Sequence, residues 1–222
     1  MKSLIVYRRY TINNKGKYME SSWEMIKSQV KKSYAEIARV ADSRCSGGCC
    51  GPSALTGILD TGKKIDYSDD QLALGPGQAN LGLGCGNPLS LAGLNKGETV
   101  IDLGSGAGFD ALLAAKEVGR TGRIIGIDMT PEMVQKAKRN AMTHNISNVE
   151  FSLGKIEDLP VESDTIDVVL SNCVINLSPD KASVYREIFR ILKPGGRIVI
   201  SDVLRSGELS EEIAQDPAAY VG

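Results

Sequence analysis

The sequence has almost no surplus of either charge, no long apolar run and few aromatic residues. Its 222 residues include 26 Lys and Arg against 27 Asp and Glu, and 5% aromatic residues, so nothing indicates a nucleic-acid or anionic-membrane partner. No apolar stretch approaches the roughly 20 residues that span a bilayer, and the first ten residues contain too short an apolar core for a signal peptide. We therefore expect a cytoplasmic protein.

Cysteine is scarce, and its number is odd. The five cysteines are Cys45, Cys49, Cys50, Cys85 and Cys173. An odd count argues against a complete disulfide framework, and a cytoplasmic location predicts reduced thiols. The spacing of the first three lacks the two separated pairs of a structural zinc site, and the sequence has only one histidine. Taken singly, a buried cysteine is commonly a small core residue, and a cysteine pair in a glycine-rich loop is commonly incidental.

Three segments differ in their hydrophobic pattern. Residues 1–20 show no periodicity, and we expect a flexible leader there. Residues 21–95 begin with apolar residues at three- and four-residue steps from Ser21 to about Val40, which predicts an amphipathic helix. A glycine-rich, cysteine-bearing loop region follows this helix. Residues 96–222 carry the clearest pattern of the chain.

In that third segment, apolar strands alternate with helices. Five strands are predicted, from the segments ETVIDLG, RIIGID, VEFSLG, TIDVVLS and GGRIVISDV. Helices are predicted at Phe109–Val118, at Pro131–His144 with Thr130 as its N-cap, and over KASVYREIFRIL. Strands that are apolar throughout and alternate with helices indicate a parallel sheet covered on both faces. The predicted fold is therefore α/β, with a Rossmann-like, doubly wound and mostly parallel sheet.

A glycine-rich turn joins the first of these strands to its helix. It contains Gly104, Ser105, Gly106 and Gly108, and Asp102 precedes it at the end of the strand. Glycines allow a tight turn and let a ligand approach bare backbone at the helix N-terminus. Asp128 ends the second strand, where a carboxylate can accept hydrogen bonds from both hydroxyls of a ribose. The turn and the acid together predict a nucleoside-binding site.

The spacing G-x-G-x-G after an acid resembles the first motif of the class I methyltransferases, and the phrases GKIEDLP and LKPGGR are typical of that family. The resemblance covers roughly residues 97–205 and implies S-adenosylmethionine as the methyl donor. Asp102 would help to hold the ammonium group of its methionine part. Lys155 stands where many members carry Asp, so we expect the Ile156 backbone and Glu157 to recognise the adenine. Met129 would form an apolar wall beside the base.

The phrases SNCVINLSPDK and LGLGCGNPL, together with the upstream pair Cys49-Cys50, resemble the arsenite methyltransferases. The resemblance extends over most of the chain from about Ser21. It implies that the thiolates of Cys85 and Cys173 hold As(III), that Cys49 or Cys50 enters a thiol relay, and that Asn172 contacts the cofactor. It also implies an external thiol reductant such as glutathione or thioredoxin, and we expect a monomer.

Thiolate ligands suit this chemistry. As(III) is a soft centre, which thiolates bind better than oxygen ligands do. Arsenic bound by three sulfurs keeps a lone pair that can attack the sulfonium methyl group in line, so alignment of the two supplies most of the catalysis. No general base is needed, because the arsenic has no proton to lose.

Two other functions agree with the same motifs. A methyltransferase of a small carbon or oxygen nucleophile would need neither Cys85 nor Cys173, and a non-catalytic metalloid-binding protein would hold As(III) without turnover. The resemblance also places a third thiolate just beyond the residues present, and the segment after Val203 cannot supply the two further strands that are common in the family. We therefore expect the chain, apparently without the C-terminal segment, to bind S-adenosylmethionine but to methylate poorly unless Cys49 or Cys50 serves as third ligand.

Overall fold

The computed structural model describes residues 3–4, 20–45, 52–74 and 78–203. The strands are β1 (Ser3–Leu4), β2 (Thr99–Leu103), β3 (Arg123–Asp128), β4 (Val149–Leu153), β5 (Ile166–Asn172) and β6 (Leu192–Ser201). The helices are α1 (Glu20–Cys45), α2 (Pro52–Lys64), α3 (Asp69–Leu72), α4 (Leu89–Ala92), α5 (Phe109–Val118), α6 (Pro131–Thr143) and α7 (Lys181–Ile191), with a short 3-10 helix at Ile175–Leu177.

The strands form one sheet in the order β1-β6-β5-β2-β3-β4, and every neighbouring pair is parallel. The predicted doubly wound fold is therefore confirmed, with its five strands at β2 to β6. The sheet also contains β1, which pairs with Arg197 and Ile198 of β6. No strand was predicted there, because two residues are too short to show a period of two. β6 begins earlier than expected, since LKPGGR is part of the strand.

Each face of the sheet packs against its own helices. In β2, Val100 belongs to the apolar cluster shared with α5 and α6, whereas Ile101 and Leu103 belong to the cluster shared with α7. This division follows from the alternation of side chains along a strand. Both faces of the central strands are buried, as their continuous apolar sequence predicts. Each fully buried aliphatic side chain here contributes about 1.5–3 kcal/mol.

The N-terminal helices cover the carboxyl edge of the sheet. Val30 and Ala38 of α1 are buried, and Ala38 packs with Ala107 and Met133 in a small cluster between α1 and α6. Arg39 adds an ion pair with Glu132, at 2.6 Å. The helix α2 was not predicted, because its glycines and small residues hide the apolar period in the sequence. Of the helices in the described residues, none has the length and hydropathy needed to cross a membrane.

Candidate functional site

A cavity of about 610 Å³ lies beyond the carboxyl ends of β2 and β5. These two strands mark the switch point of the sheet, because β2 leads to α5 on one face and β5 leads to α7 on the other. Ligands of doubly wound folds bind in the crevice at this position. The predicted site residues that line the cavity are Asp102, Gly104, Ser105, Gly106, Asp128, Met129, Ile156, Glu157, Asn172 and Cys173.

The glycine-rich turn lies at the floor of the cavity. Gly104 has a φ of +67°, and a Cβ added there would run into the side chain of Val174. A residue with a side chain would therefore meet both backbone strain and a clash at this position. The amide of Gly108 donates to the Ser105 carbonyl at 2.8 Å, so Gly108 closes the turn and is not among the residues that line the cavity.

Three carboxylates border the cavity on this side. Burial raises the pKa of Asp102 well above its ordinary value, and the charges of Asp110 and Asp128 raise it further. Burial also raises the pKa values of Asp110 and Asp128. Among the described residues, no cationic side chain is a cause of these three shifts. Because buried carboxylates of like charge disfavour each other's ionised forms, a cationic ligand group would be bound strongly here.

Asp110 is held by two side chains that the sequence did not identify as partners. The hydroxyl of Tyr67 donates to Asp110 Oδ1 at 2.5 Å, and Asn172 Nδ2 donates to Asp110 Oδ2 at 2.9 Å. Both hydrogen bonds lower the pKa of Asp110 against the effect of burial. Asn172 also accepts from the Cys85 amide at 3.1 Å through Oδ1. One amide side chain therefore connects the carboxylate to the segment that carries Cys85.

Two buried polar atoms at the cavity have no hydrogen-bond partner among the described residues: Ser105 Oγ and Asn80 Nδ2. Asn80 is only 5% exposed, and its Oδ1 accepts from the Gly82 amide at 3.0 Å, which fixes the direction of its amide group. Buried polar groups are rarely left without a partner in native proteins, and those that are need an explanation.

The far end of the cavity contains the residues predicted to bind a nucleoside. The carboxylate of Asp128 accepts from the amides of Gly106 and Thr130, at 2.9 and 2.8 Å, so its orientation is fixed by backbone. Both hydrogen bonds lower its pKa against the effect of burial. Glu157 accepts from Ser178 Oγ at 2.7 Å and forms an ion pair with Lys27 at 3.1 Å. The carboxylate of Glu157 therefore links α1 to the loop after β5.

Cys85 and Cys173 meet at the rim of the cavity, although 88 residues separate them in the sequence. Their Cα atoms are 5.8 Å apart, within the range of a disulfide, and their sulfur atoms lie next to each other. The structure therefore brings together the two cysteines that the sequence assigned to one site. The relay candidates Cys49 and Cys50 lie outside the described residues.

Local backbone geometry produces this meeting of the two cysteines. Cys173 has a φ of +57°, which is uncommon for a residue with a side chain, and its amide donates to the Ser201 carbonyl at 2.8 Å. Across from it, a Cβ on Gly84 would lie 2.7 Å from Asn172 Nδ2. The segment before Cys85 can therefore approach the end of β5 only because it contains glycine.

Comparisons with known proteins agree with this geometry. The family model described as methyltransferase domain matches residues 94–221. An arsenite methyltransferase of Halobacterium salinarum is 43% identical over 208 residues, covering 90% of this chain and 52% of the relative. A demethylmenaquinone methyltransferase of Lactococcus lactis is 37% identical over 103 residues, covering 46% of this chain and 41% of the relative.

Among solved structures, CrArsM of Chlamydomonas reinhardtii, an arsenic (III) S-adenosylmethionine methyltransferase, is 38% identical with a TM-score of 0.57. The match covers 75% of this chain and 54% of that structure. The chain thus spans about half the length of these arsenic-methylating relatives. These similarities confirm the resemblance and the fold that the sequence predicted. Because the family model matches more than half of the residues, the chain belongs to the methyltransferase-domain family.

Proposed function

We propose that this chain binds S-adenosylmethionine and transfers its methyl group to As(III) held by the thiolates of Cys85 and Cys173. The single observation that carries the proposal is the meeting of two cysteine sulfurs at the rim of a cavity with three buried carboxylates. Such a cavity suits a cationic nucleoside, and a pair of thiolates suits a soft trivalent metalloid. The two relatives at 43% and 38% identity are named as methyltransferases of arsenite and arsenic (III), which supports As(III) as the acceptor.

The donor fits the residues that line the cavity. No cationic side chain of the described residues acts on Asp102 or Asp110, so these two carboxylates would receive the ammonium group, while Asp128 would accept from the ribose hydroxyls. Ser105 and Asn80 also line the cavity beside the donor. Met129 would form an apolar wall beside the base, and the Ile156 backbone and Glu157 would recognise the adenine. When bound, S-adenosylmethionine supplies an electrophilic methyl group on a cationic sulfur.

The chain's own role in the reaction is to present arsenic to that methyl group. Cys173 lines the cavity and Cys85 is next to it, so arsenic bound to both would lie at the entrance. The As(III) lone pair would form the new As–C bond, and the electrons of the breaking C–S bond would stay on the donor sulfur. Well-aligned reacting groups account for a large part of such a rate enhancement. No side chain has to remove a proton.

An external thiol reductant such as glutathione or thioredoxin is the second part of the proposal. The two sulfurs are close enough to form a disulfide, which would have to be reduced before arsenic could bind, because only thiolates act as ligands. In this exchange two external thiols are oxidised to a disulfide while the protein disulfide becomes two thiols. A reducing cytoplasm would keep both cysteines as thiols. Cys49 or Cys50 would take part in thiol–disulfide exchange with the same site.

The test is to incubate the protein with S-adenosylmethionine, glutathione and arsenite, and to measure S-adenosylhomocysteine and methylated arsenic together. A Cys85→Ser, Cys173→Ser double variant should lose the arsenic-dependent product. Cys45→Ser is the matched control, because it removes a thiol that is not assigned to the site. Product that persists in the double variant would refute the role of the two thiolates.

The same experiment separates two other functions. Arsenite that binds through Cys85 and Cys173 without any S-adenosylhomocysteine would indicate a metalloid-binding protein. Cofactor binding without arsenite binding would favour a small carbon or oxygen nucleophile as acceptor. The similarity to a demethylmenaquinone methyltransferase makes the latter the stronger rival, although it covers less than half of the chain.

A further inference from the structure

Tyr67 is a buried tyrosine at the cavity, and neither the sequence motifs nor the function proposed above gives it a role. It lies between α2 and α3, is 6% exposed and lines the cavity. Its ring packs against Phe109, with the ring centres 5.1 Å apart. Its hydroxyl donates to Asp110 Oδ1 at 2.5 Å and accepts from Asn172 Nδ2 at 3.2 Å. This one hydroxyl group therefore contacts two polar side chains of the cavity.

Tyr67 is a donor with a fixed position. Its amide donates to the Gly62 carbonyl at 3.1 Å. Ser68, the next residue, is the N-cap of α3 and forms a capping box with Gln71, which fixes the chain on the other side. Burial raises the pKa of Tyr67, and the charge of Asp110 raises it further. The hydroxyl therefore keeps its proton at neutral pH and remains available as a donor.

The ionised form of Asp110 depends on this donor. Burial raises the pKa of Asp110, and the hydrogen bonds from Tyr67 and Asn172 act in the opposite direction. For the neighbouring Asp102, the one contact of the described residues that lowers the pKa is a hydrogen bond with the Ala111 backbone. Asp110 is therefore the better prepared of the two to carry the negative charge. Its oxygens retain acceptor capacity for a ligand, because each can accept more than one hydrogen bond.

The other carboxylates at this edge of the sheet have different partners. Asp128 accepts from backbone amides at the ribose end of the cavity. Asp202, which follows β6, has a carboxylate oxygen within 4.8 Å of both cysteine sulfurs, and it also accepts from backbone amides. The hydrogen bond that Tyr67 donates therefore acts on one carboxylate of the cavity, that of Asp110.

We propose that Tyr67 is a positioning residue for the methyl donor: its hydroxyl holds the Asp110 carboxylate in place for the ammonium group. This inference rests on the proposed function and adds a residue that acts on the donor through Asp110. Hydrogen bonds to ionised acceptors are stronger than neutral ones, so one donor has a large share in fixing the carboxylate. A ligand that meets a carboxylate already held in place binds without the cost of ordering it.

The experiment compares two ligands that share a nucleoside. S-adenosylhomocysteine carries the ammonium group, whereas 5′-methylthioadenosine has the same nucleoside and a thioether but no amino acid group. Isothermal calorimetry measures the affinity of each variant for both. Tyr67→Phe keeps the ring that packs against Phe109 and removes only the hydroxyl. It should weaken S-adenosylhomocysteine binding about tenfold, the lower end of what a hydrogen bond to a charged group contributes, and leave 5′-methylthioadenosine binding unchanged.

Two further variants show whether Tyr67 acts through Asp110. Asp110→Asn should weaken S-adenosylhomocysteine binding about tenfold or more and leave 5′-methylthioadenosine binding unchanged. In the double variant, Tyr67→Phe should cause no further loss, because the two residues act in one interaction. Tyr185→Phe is the matched control, since it removes the hydroxyl of an exposed tyrosine on α7 that is not among the cavity residues, and it should leave both affinities unchanged.

The remaining outcomes each count against a particular statement. Equal losses for both ligands in Tyr67→Phe would mean that Tyr67 supports the cavity as a whole, and additive losses in the double variant would mean that it acts without Asp110. Unchanged S-adenosylhomocysteine affinity in Tyr67→Phe or in Asp110→Asn would mean that this contact does not serve the ammonium group. Each of these results overturns the inference and leaves the proposed function standing.

Two other results concern the fold and the donor itself. Asp110→Asn leaves Tyr67 in place, so it can overturn the inference even if Tyr67→Phe does not fold. If the wild-type protein binds neither ligand, the donor of the proposed function is wrong, and the inference fails with it.

Discussion

Replacement of Asn172 by alanine tests the connection between the cavity and the Cys85 segment. The Asn172 side chain donates to Asp110 Oδ2 at 2.9 Å, to the Gly86 carbonyl at 2.8 Å and to the Tyr67 hydroxyl at 3.2 Å. Its Oδ1 accepts from the Cys85 amide at 3.1 Å. The variant loses all four hydrogen bonds and leaves a buried carboxylate with fewer donors.

The magnitude follows from these partners. The hydrogen bond to the carboxylate of Asp110 contributes about 1.5–3 kcal/mol, and each of the neutral ones contributes about 1 kcal/mol. Asn172 is half-buried at a cavity, so water can replace part of what is lost. We therefore expect Asn172→Ala to lower the free energy of unfolding by about 2–4 kcal/mol.

The assay is urea unfolding of both proteins under the same redox conditions, followed by circular dichroism. Asn176→Ala is the control, because Asn176 Oδ1 is buried without a partner among the described residues. That variant should lose less than about 1 kcal/mol, since no hydrogen bond of this oxygen is removed. A loss below about 1 kcal/mol for Asn172→Ala would refute the reasoning, because it would mean that water replaces the whole network.

Three further predictions concern the donor cavity. Asn80→Ala should reduce affinity for S-adenosylhomocysteine about fivefold or more, because Asn80 lines the cavity and accepts the hydrogen bond from the Gly82 amide that positions the neighbouring lining residue. Isothermal calorimetry measures the affinity, and a large fall in melting temperature with intact affinity would contradict the prediction. Asp102 has a pKa raised above its ordinary 3.8, so it holds a proton in the folded protein at a pH where the unfolded chain has lost it. The stability of the free protein should therefore fall as pH rises from about 4 through the raised pKa, while affinity for the cationic donor should rise. Both slopes should be smaller in Asp102→Asn, and equal slopes in the two proteins would exclude Asp102 as their source. Gly104→Ala should destabilise the protein by about 1–3 kcal/mol in urea unfolding, because it combines a φ of +67° with a clash against Val174; an unchanged midpoint would show that the turn relaxes.

The part of the site that lies on local motifs was predictable. Asp102, the glycine turn and Asp128 occupy the ends of β2 and β3 because a strand, a tight turn and a helix have their own sequence patterns. Parallel strands present these ends at one edge of the sheet, so their proximity follows from the fold class. The resemblance of the phrases around Cys85 and Cys173 added the two cysteines.

The other half of the site was not predictable from local pattern. Tyr67, Asn80, Asp110 and Asp202 come from four different elements or loops, and none belongs to a motif that was recognised. In the sequence, nothing distinguishes Asp110 from any other acidic residue in the first turn of a helix. Its contact with Tyr67 spans 43 positions in the sequence. The unpartnered amide of Asn80 is visible only where hydrogen bonds can be counted.

The sequence by itself determined the alternation of strands and helices, the glycine turn and the acid near the end of each of two strands. These features depend on interactions between residues a few positions apart, so the hydrophobic period and the turn residues are enough to predict them. Only the tertiary structure decided that β1 joins the sheet, that Cys85 reaches Cys173, and that Asp202 lies beside them. Such contacts form between residues that are tens of positions apart, and they require glycines that permit close approach. The local sequence pattern predicts neither which distant residues meet nor where glycine is needed for it.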